Sequence, residues 1–86
     1  MNDIKIFKDQ IIGKGNFGNV YKGIWQSTIN IAAKSLKDIS NENEFIKEAN
    51  IMIKLKIHPN IVSFFGLYKD EENILFIITE LMELTN

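Results

Sequence analysis

The chain has no cysteine, a single proline, a single histidine and almost no net charge. Without cysteine there are no disulfide staples and no thiolate metal sites, which fits a reducing compartment. One histidine alone cannot build a zinc site. A formal net charge of −1 gives no global field toward nucleic acid or an anionic membrane surface, so any phosphate recognition has to be local. Long apolar runs are also missing. The longest, Ile74 to Ile78, falls far short of the roughly 20 residues that span a bilayer. Met1 to Asp9 mixes charged and apolar residues and lacks the apolar core of a signal peptide. No repeat, low-complexity tract or linker interrupts the chain. These absences read as a soluble cytoplasmic protein with neither nucleic-acid nor membrane partners.

What is present is a sequence built to fold. Of its 86 residues 45% are hydrophobic and 24% charged, the balance of an ordinary globular domain. The length permits one domain at most, of a size that is only marginally stable alone. Ile4, Ile6 and Ile11 to Ile12 point to a first strand. Asn19 to Trp25, rich in β-branched and aromatic residues, points to a second, with a glycine-rich turn between them. A polar turn at Gln26 to Thr28 leads into Ile29 to Leu36, whose alternation puts Ala32 and Lys34 on one face and Ile31 and Ala33 on the other.

From about Asn41 the period lengthens to that of a helix, with Asn41 as cap and Glu44 at capping-box spacing, ending before Pro59. Its apolar stripe runs through Phe45, Ala49, Met52 and Ile53, and Lys47, Asn50 and Lys54 lie opposite. Ile61 to Tyr68 and Ile74 to Thr79 read as two more strands around a charged turn at Lys69 to Asn73. The expected fold is α+β, a five-stranded antiparallel sheet with one principal helix between the third and fourth strands.

Three features carry chemistry. Gly13, Gly15 and Gly18 leave backbone amides free to approach phosphate oxygens, so the segment can form a flap over a polyphosphate. The same spacing also serves as a glycine-rich β-turn with no ligand. A dinucleotide fold would open a helix after the last glycine, whereas Val20 to Trp25 continue as a strand; a P-loop would end in Gly-Lys-Ser/Thr. Lys34 follows the small Ala32 on its face, which leaves room for a flat ring and lets the ammonium reach phosphates beyond it. A solvated lysine on a strand is the plainer reading. Glu48 lies inside the apolar stripe of the helix, where a carboxylate is costly to bury unless a cation meets it. Lys34 is the natural cation, and a carboxylate at the edge of the stripe reaching water is the alternative.

Together, Gly13 to Val20, Ala32 with Lys34, and Glu48 on the next helix resemble the amino-terminal lobe of the protein kinases. The likeness continues through Phe45 to Glu48, through His58 to Val62 and on to Ile77 to Met82, so it covers nearly the whole chain. Tyr21 to Trp25 looks most like the tyrosine-kinase-like and tyrosine-kinase branch, many of whose members act on serine or threonine.

The resemblance implies that Gly13, Lys14, Gly15, Asn16, Phe17, Gly18 and Asn19 form the ATP flap, with Phe17 at its tip shielding phosphates. Ile12, Val20 and Ala32 would sandwich the adenine. Lys34 would contact the α- and β-phosphates while paired with Glu48. Thr79 matches the gatekeeper, the backbone of Glu80 and Met82 matches the hinge, and Met52 and Phe64 match an apolar column toward the second lobe. Ala33 is smaller than the aliphatic residue usual before the lysine, and Glu83 to Asn86 lack the glycine common after the hinge.

Phosphoryl transfer further needs a catalytic-loop aspartate, an asparagine and a second aspartate for magnesium, and none of these can be placed in the chain. Residues 1–86 are therefore expected to be the amino-terminal lobe without its carboxy-terminal partner. Such a lobe would bind ATP but be inactive alone, with no catalytic residue and no metal ligand of its own. Protein substrates, at serine, threonine or tyrosine, would belong to the full-length enzyme. The alternative is a non-catalytic nucleotide-binding or regulatory module that docks on another kinase or a complementary lobe.

Overall fold

The computed structural model describes residues 3–55 and 64–81, the side chains of 52–55 and 64 excepted. Strands β1 (Ile4–Lys14), β2 (Asn19–Trp25) and β3 (Ile29–Ser35) run antiparallel in sequence order. Helix α1 (Glu42–Leu55) follows, then β4 (Phe64–Lys69) and β5 (Leu75–Glu80). The five strands form one antiparallel sheet in the order β1-β2-β3-β5-β4, so β5 lies between β3 and β4. The expected fold class is the one found. Residues 56–63, where the expected helix end and the start of the fourth strand fall, lie outside the described residues, as do 82–86.

The β2–β3 connection holds Gln26 and Ser27 at φ 52° and 64°. They are the central residues of a turn closed by the Thr28 amide donating to the Trp25 carbonyl at 3.4 Å, within a three-residue connection, and their positive φ matches the right-handed twist of the flanking strands. Trp25 and Ile29 are thereby set opposite each other and the register of both strands is fixed. Strand β1 is longer and less regular than the sequence pattern implies. It slips register between Phe7 and Ile11 and again between Ile11 and Gly13, which accommodates the polar run Lys8 to Gln10 without ending the strand.

Helix α1 begins at Glu42, directly after Asn41, where the sequence pattern puts its start. A 3-10 turn (Ile39–Asn41) that the pattern does not show precedes it, capped by Asp38, whose carboxylate accepts from the Ser40 amide at 3.0 Å. That backbone hydrogen bond holds the Asp38 carboxyl below its ordinary value of 3.8. Asp38 caps because the chain leaves β3 with only a few residues in which to turn, and the tight turn starts earlier than the apolar period does.

The sheet carries apolar residues on both faces. One cluster gathers Ile31, Ala33, Phe76 and Ile78, all fully buried, with Ile4, Ile6, Tyr21, Trp25 and Phe65 around them. Trp25 on β2 meets Phe65 on β4 at 5.0 Å between ring centroids, so the twisted sheet folds its far strands over this cluster. The second cluster, on the helix side, is Leu36, Phe45, Ala49 and Ile77. Phe76, Ile77 and Ile78 feed alternate faces, so β5 is covered on both sides and occupies the interior of the sheet.

Candidate functional site

Cross-strand partners share a face of a sheet, and the register therefore decides which side chains meet. Lys34 lies opposite Val20 on β2 and Ile77 on β5; Ala32 lies opposite Lys22 and Thr79. Val20, Ala32, Lys34 and Thr79 are thus brought to one face, the helix side. Thr79 is buried there, while Val20 and Ala32 are partly open. Ile12 is exposed at the end of β1, next to Gly13, which pairs with Val20. Lys14, at the end of β1, and Asn16, on the loop, are exposed.

Glu80 pairs with Ile31, so its side chain belongs to the opposite face and only its backbone edge adjoins the site. The Leu81 amide donates to the Asn30 carbonyl at 3.0 Å and extends the β3–β5 pairing by one rung. Met82 lies outside the described residues, as do the side chains of Met52 and Phe64.

The loop between β1 and β2 closes on itself and onto β3. The Gly15 amide donates to the Gly18 carbonyl at 2.7 Å, and the Lys37 amide donates to the Phe17 carbonyl at 2.7 Å. Ser35 Oγ donates to the Asn19 carbonyl at 3.0 Å. Gly18 is packed so closely that a Cβ there would stand 2.6 Å from the Ser35 carbonyl oxygen. Close approach, not positive φ, is what requires this glycine. Gly13 faces open space, and the Lys34 arm runs beneath Gly15, its Cε 3.8 Å from where a Cβ on that residue would be. The lysine is therefore threaded under the loop backbone.

Helix α1 supplies the counter-charge. Phe45 and Ala49 are buried against the sheet, and Glu48, on the same side and one turn beyond Phe45, sends its carboxylate to Lys34. Lys34 Nζ donates to Glu48 Oε1 at 2.9 Å. The two side chains retain 36% and 29% exposure, so solvent screens the pair and its worth to stability is small. Its consequence is geometric, because it holds one ammonium in one place.

Phe17 differs from the expectation of a ring at the flap tip. Its ring packs edge-on against Phe45, centroids 5.5 Å apart at 89°, and joins the helix-side cluster. Ser35, which tethers the loop exit, and Phe45, which receives Phe17, were not read as site residues. The available signals were a serine next to Lys34 on a buried strand face and an aromatic one turn before Glu48. Among the described residues no group of three or more His, Cys, Asp or Glu side chains is placed to hold a metal ion. Among the described residues no helix is long and apolar enough to cross a membrane.

Comparison with known proteins places this geometry. The family model for protein tyrosine and serine/threonine kinases matches residues 6–86. Human tyrosine-protein kinase FRK is 40% identical over 82 residues, covering 94% of this chain and 15% of that protein. Tyrosine-protein kinase SRK3 of Spongilla lacustris is 40% identical over 73 residues, 84% of this chain and 21% of its own. Tyrosine-protein kinase transforming protein Abl of Abelson murine leukemia virus is 40% identical over 77 residues, 87% and 10%. The chain thus spans no more than 21% of the length of these three relatives. A lysine threaded under a glycine-rich hairpin and paired with a helix glutamate, on a five-stranded sheet, is the amino-terminal-lobe arrangement, and the chain belongs to the protein tyrosine and serine/threonine kinase family.

Proposed function

We propose that residues 1–86 form the ATP-binding lobe of a protein kinase, the part that receives and orients the nucleotide. The observation that carries this reading is the 2.9 Å bond between Lys34 and Glu48 beneath the glycine-rich loop. In kinases that pair must be in place for the lysine to hold the α- and β-phosphates. Ile12, Val20 and Ala32 would contact the two faces of adenine, Thr79 would border its inner edge, and the backbone of Glu80 and Met82 would bond its polar edge. Gly13 to Asn19 would cover the phosphates with backbone amides.

When bound, ATP supplies the phosphoryl group for transfer to a protein hydroxyl. The names of the relatives favour tyrosine as the acceptor, and the residues themselves leave serine and threonine open. No His-Arg-Asp or Asp-Phe-Gly sequence occurs in the 86 residues, so the base and the magnesium ligands would come from the second lobe. The 86-residue chain is accordingly expected to bind ATP without transferring its phosphate.

The test is a titration of the purified chain with a fluorescent ATP analogue, with and without magnesium. Lys34→Ala removes charge-assisted hydrogen bonds and should weaken binding about 10- to 100-fold. Equal affinity in wild type and variant, with both folded, would sink the reading. Phosphoryl transfer by the chain above the Lys34→Ala background would overturn the expected inactivity.

A further inference from the structure

We infer that Phe17 is a positioning residue: its ring, seated on Phe45, holds helix α1 where Glu48 meets Lys34, so the loop and the ion pair move as one unit. The contact is edge-to-face at 5.5 Å and 89°, within the favoured range for aromatic pairs. The loop backbone is fixed around the Phe17 ring. Its own carbonyl accepts from the Lys37 amide, Gly18 lies against Ser35 without room for a Cβ, and Ser35 Oγ binds the Asn19 carbonyl. A ring on so constrained a backbone is a fixed buttress.

The receiving side chain matters as much. Phe45 is 1% exposed and stands three residues before Glu48, so both project from the same side of the helix. The segment joining β3 to α1 is anchored at its start, where Leu36 is buried in the same cluster, and is open nearer the helix, where Ile39 is 79% exposed and the Asp38 cap is at the surface. Near Glu48 the helix is held by Phe45, Ala49 and what they touch, and Phe17 is the member of that cluster contributed by the loop. Removing the ring leaves a gap beside Phe45 into which the helix can shift, taking Glu48 from Lys34. A helix shift of about 1–2 Å is a common step in switching proteins, and it would break a 2.9 Å hydrogen bond.

For nucleotide affinity this inference rests on the ATP-binding reading; for helix position it does not. The absence of cysteine makes the second readout direct, because spin labels can be placed at Asn30→Cys on β3 and Asn50→Cys on α1, both exposed. Pulsed electron resonance without nucleotide should give one narrow distance in the otherwise wild-type chain. Phe17→Ala should broaden it or shift it by about 2 Å, and Phe17→Tyr, which keeps the ring edge, should restore it. Phe17→Leu keeps most of the apolar bulk and guards against simple unfolding; it too should broaden the distance. A wild-type distance in folded Phe17→Leu or Phe17→Ala would overturn the inference.

The nucleotide arm separates the two claims. Phe17→Ala should weaken the ATP analogue about tenfold, and should have no further effect in a Glu48→Gln background, where the pair is already lost. Equal weakening in both backgrounds would mean that Phe17 acts on the phosphates alone, and the positioning role would fall. A shifted helix in a chain that binds no nucleotide would support the positioning role while refuting the ATP-binding reading.

Discussion

At the scale of single residues, the site depends on one absent methyl and one long arm. Gly18 lets the loop lie against β3, and an alanine there would drive a Cβ to 2.6 Å from a backbone oxygen that cannot rotate away. Gly18→Ala should destabilise the chain by about 1–3 kcal/mol, the usual cost of overpacking, read as a lower urea midpoint with an unchanged slope. An unchanged midpoint would mean that the loop has freedom to lift from Ser35. Gly13 provides the contrast, because its Cβ position meets nothing within 4 Å, and Gly13→Ala should leave stability within about 0.5 kcal/mol of wild type. The sequence pattern made Lys34 and Glu48 legible as partners, since a carboxylate in an apolar stripe calls for a cation. It could not distinguish the glycines, because spacing treats all three alike and only the packed structure shows which one is crowded. The inward turn of Phe17 was hidden for a related reason: a phenylalanine in a glycine-rich loop carries no periodic signal for the side it faces.

At the scale of elements, alternation and period located the strands and the helix. Ile31 and Ala33 against Ala32 and Lys34 is a period-two pattern that the burial of β3 reproduces. The sheet order was also within reach. Phe76, Ile77 and Ile78 form a run that is apolar on both faces, which is what an interior strand requires, so β5 belongs between two neighbours even though β4 precedes it in sequence. The helix start next to Asn41 was legible, whereas the 3-10 turn capped by Asp38 was not, because it lies ahead of the apolar period that marks the helix. Turn chemistry in the β2–β3 hairpin conflicts with the backbone it must adopt. Gln26 and Ser27 both hold positive φ, for which asparagine and glycine are preferred. Replacing the pair by Asn-Gly should raise stability by about 0.5–1 kcal/mol, relief of left-handed strain being offset in part by the greater freedom of glycine unfolded. A thermal midpoint that falls in this variant would show that Gln26 or Ser27 makes a contribution beyond the turn.

At the scale of the whole molecule, the question is what closes a sheet whose outer strands, β1 and β4, are both edges. Lys8 on β1 reaches across to the turn after β4, donating to Asp70 Oδ2 at 2.7 Å and lying 3.4 Å from Glu72 Oε1. Asp70 also organises that turn, its Oδ1 accepting from the Glu72 and Ile74 amides at 3.0 and 2.8 Å. Burial pushes the Asp70 carboxyl up, but the hydrogen bond from Lys8, the Ile74 amide, the Lys8 charge and the Glu72 amide together bring it below its ordinary value of 3.8. A carboxyl with a lower pKa folded than unfolded binds fewer protons in the native state. Its stabilisation is complete above the ordinary value and is lost as pH falls through the depressed one. Lys8 mirrors this at the alkaline end, raised from 10.5 chiefly by its hydrogen bond to Asp70, so its share is lost as pH rises through the raised value. Because Lys8 is 42% exposed, the ion pair itself should be worth no more than about 1 kcal/mol, and Lys8→Met should cost less than Asp70→Ala. Asp70→Ala removes the pair and leaves two turn amides without their acceptor, a loss of about 1–3 kcal/mol at pH 7. Urea denaturation of wild type and Asp70→Ala at descending pH should show the gap between them narrowing below 3.8, as protonation removes from the wild type what the substitution has already removed. A gap that stays constant to the acid limit would mean that Asp70 acts through packing, and that the closure of β1 onto the β4–β5 turn does not depend on its charge.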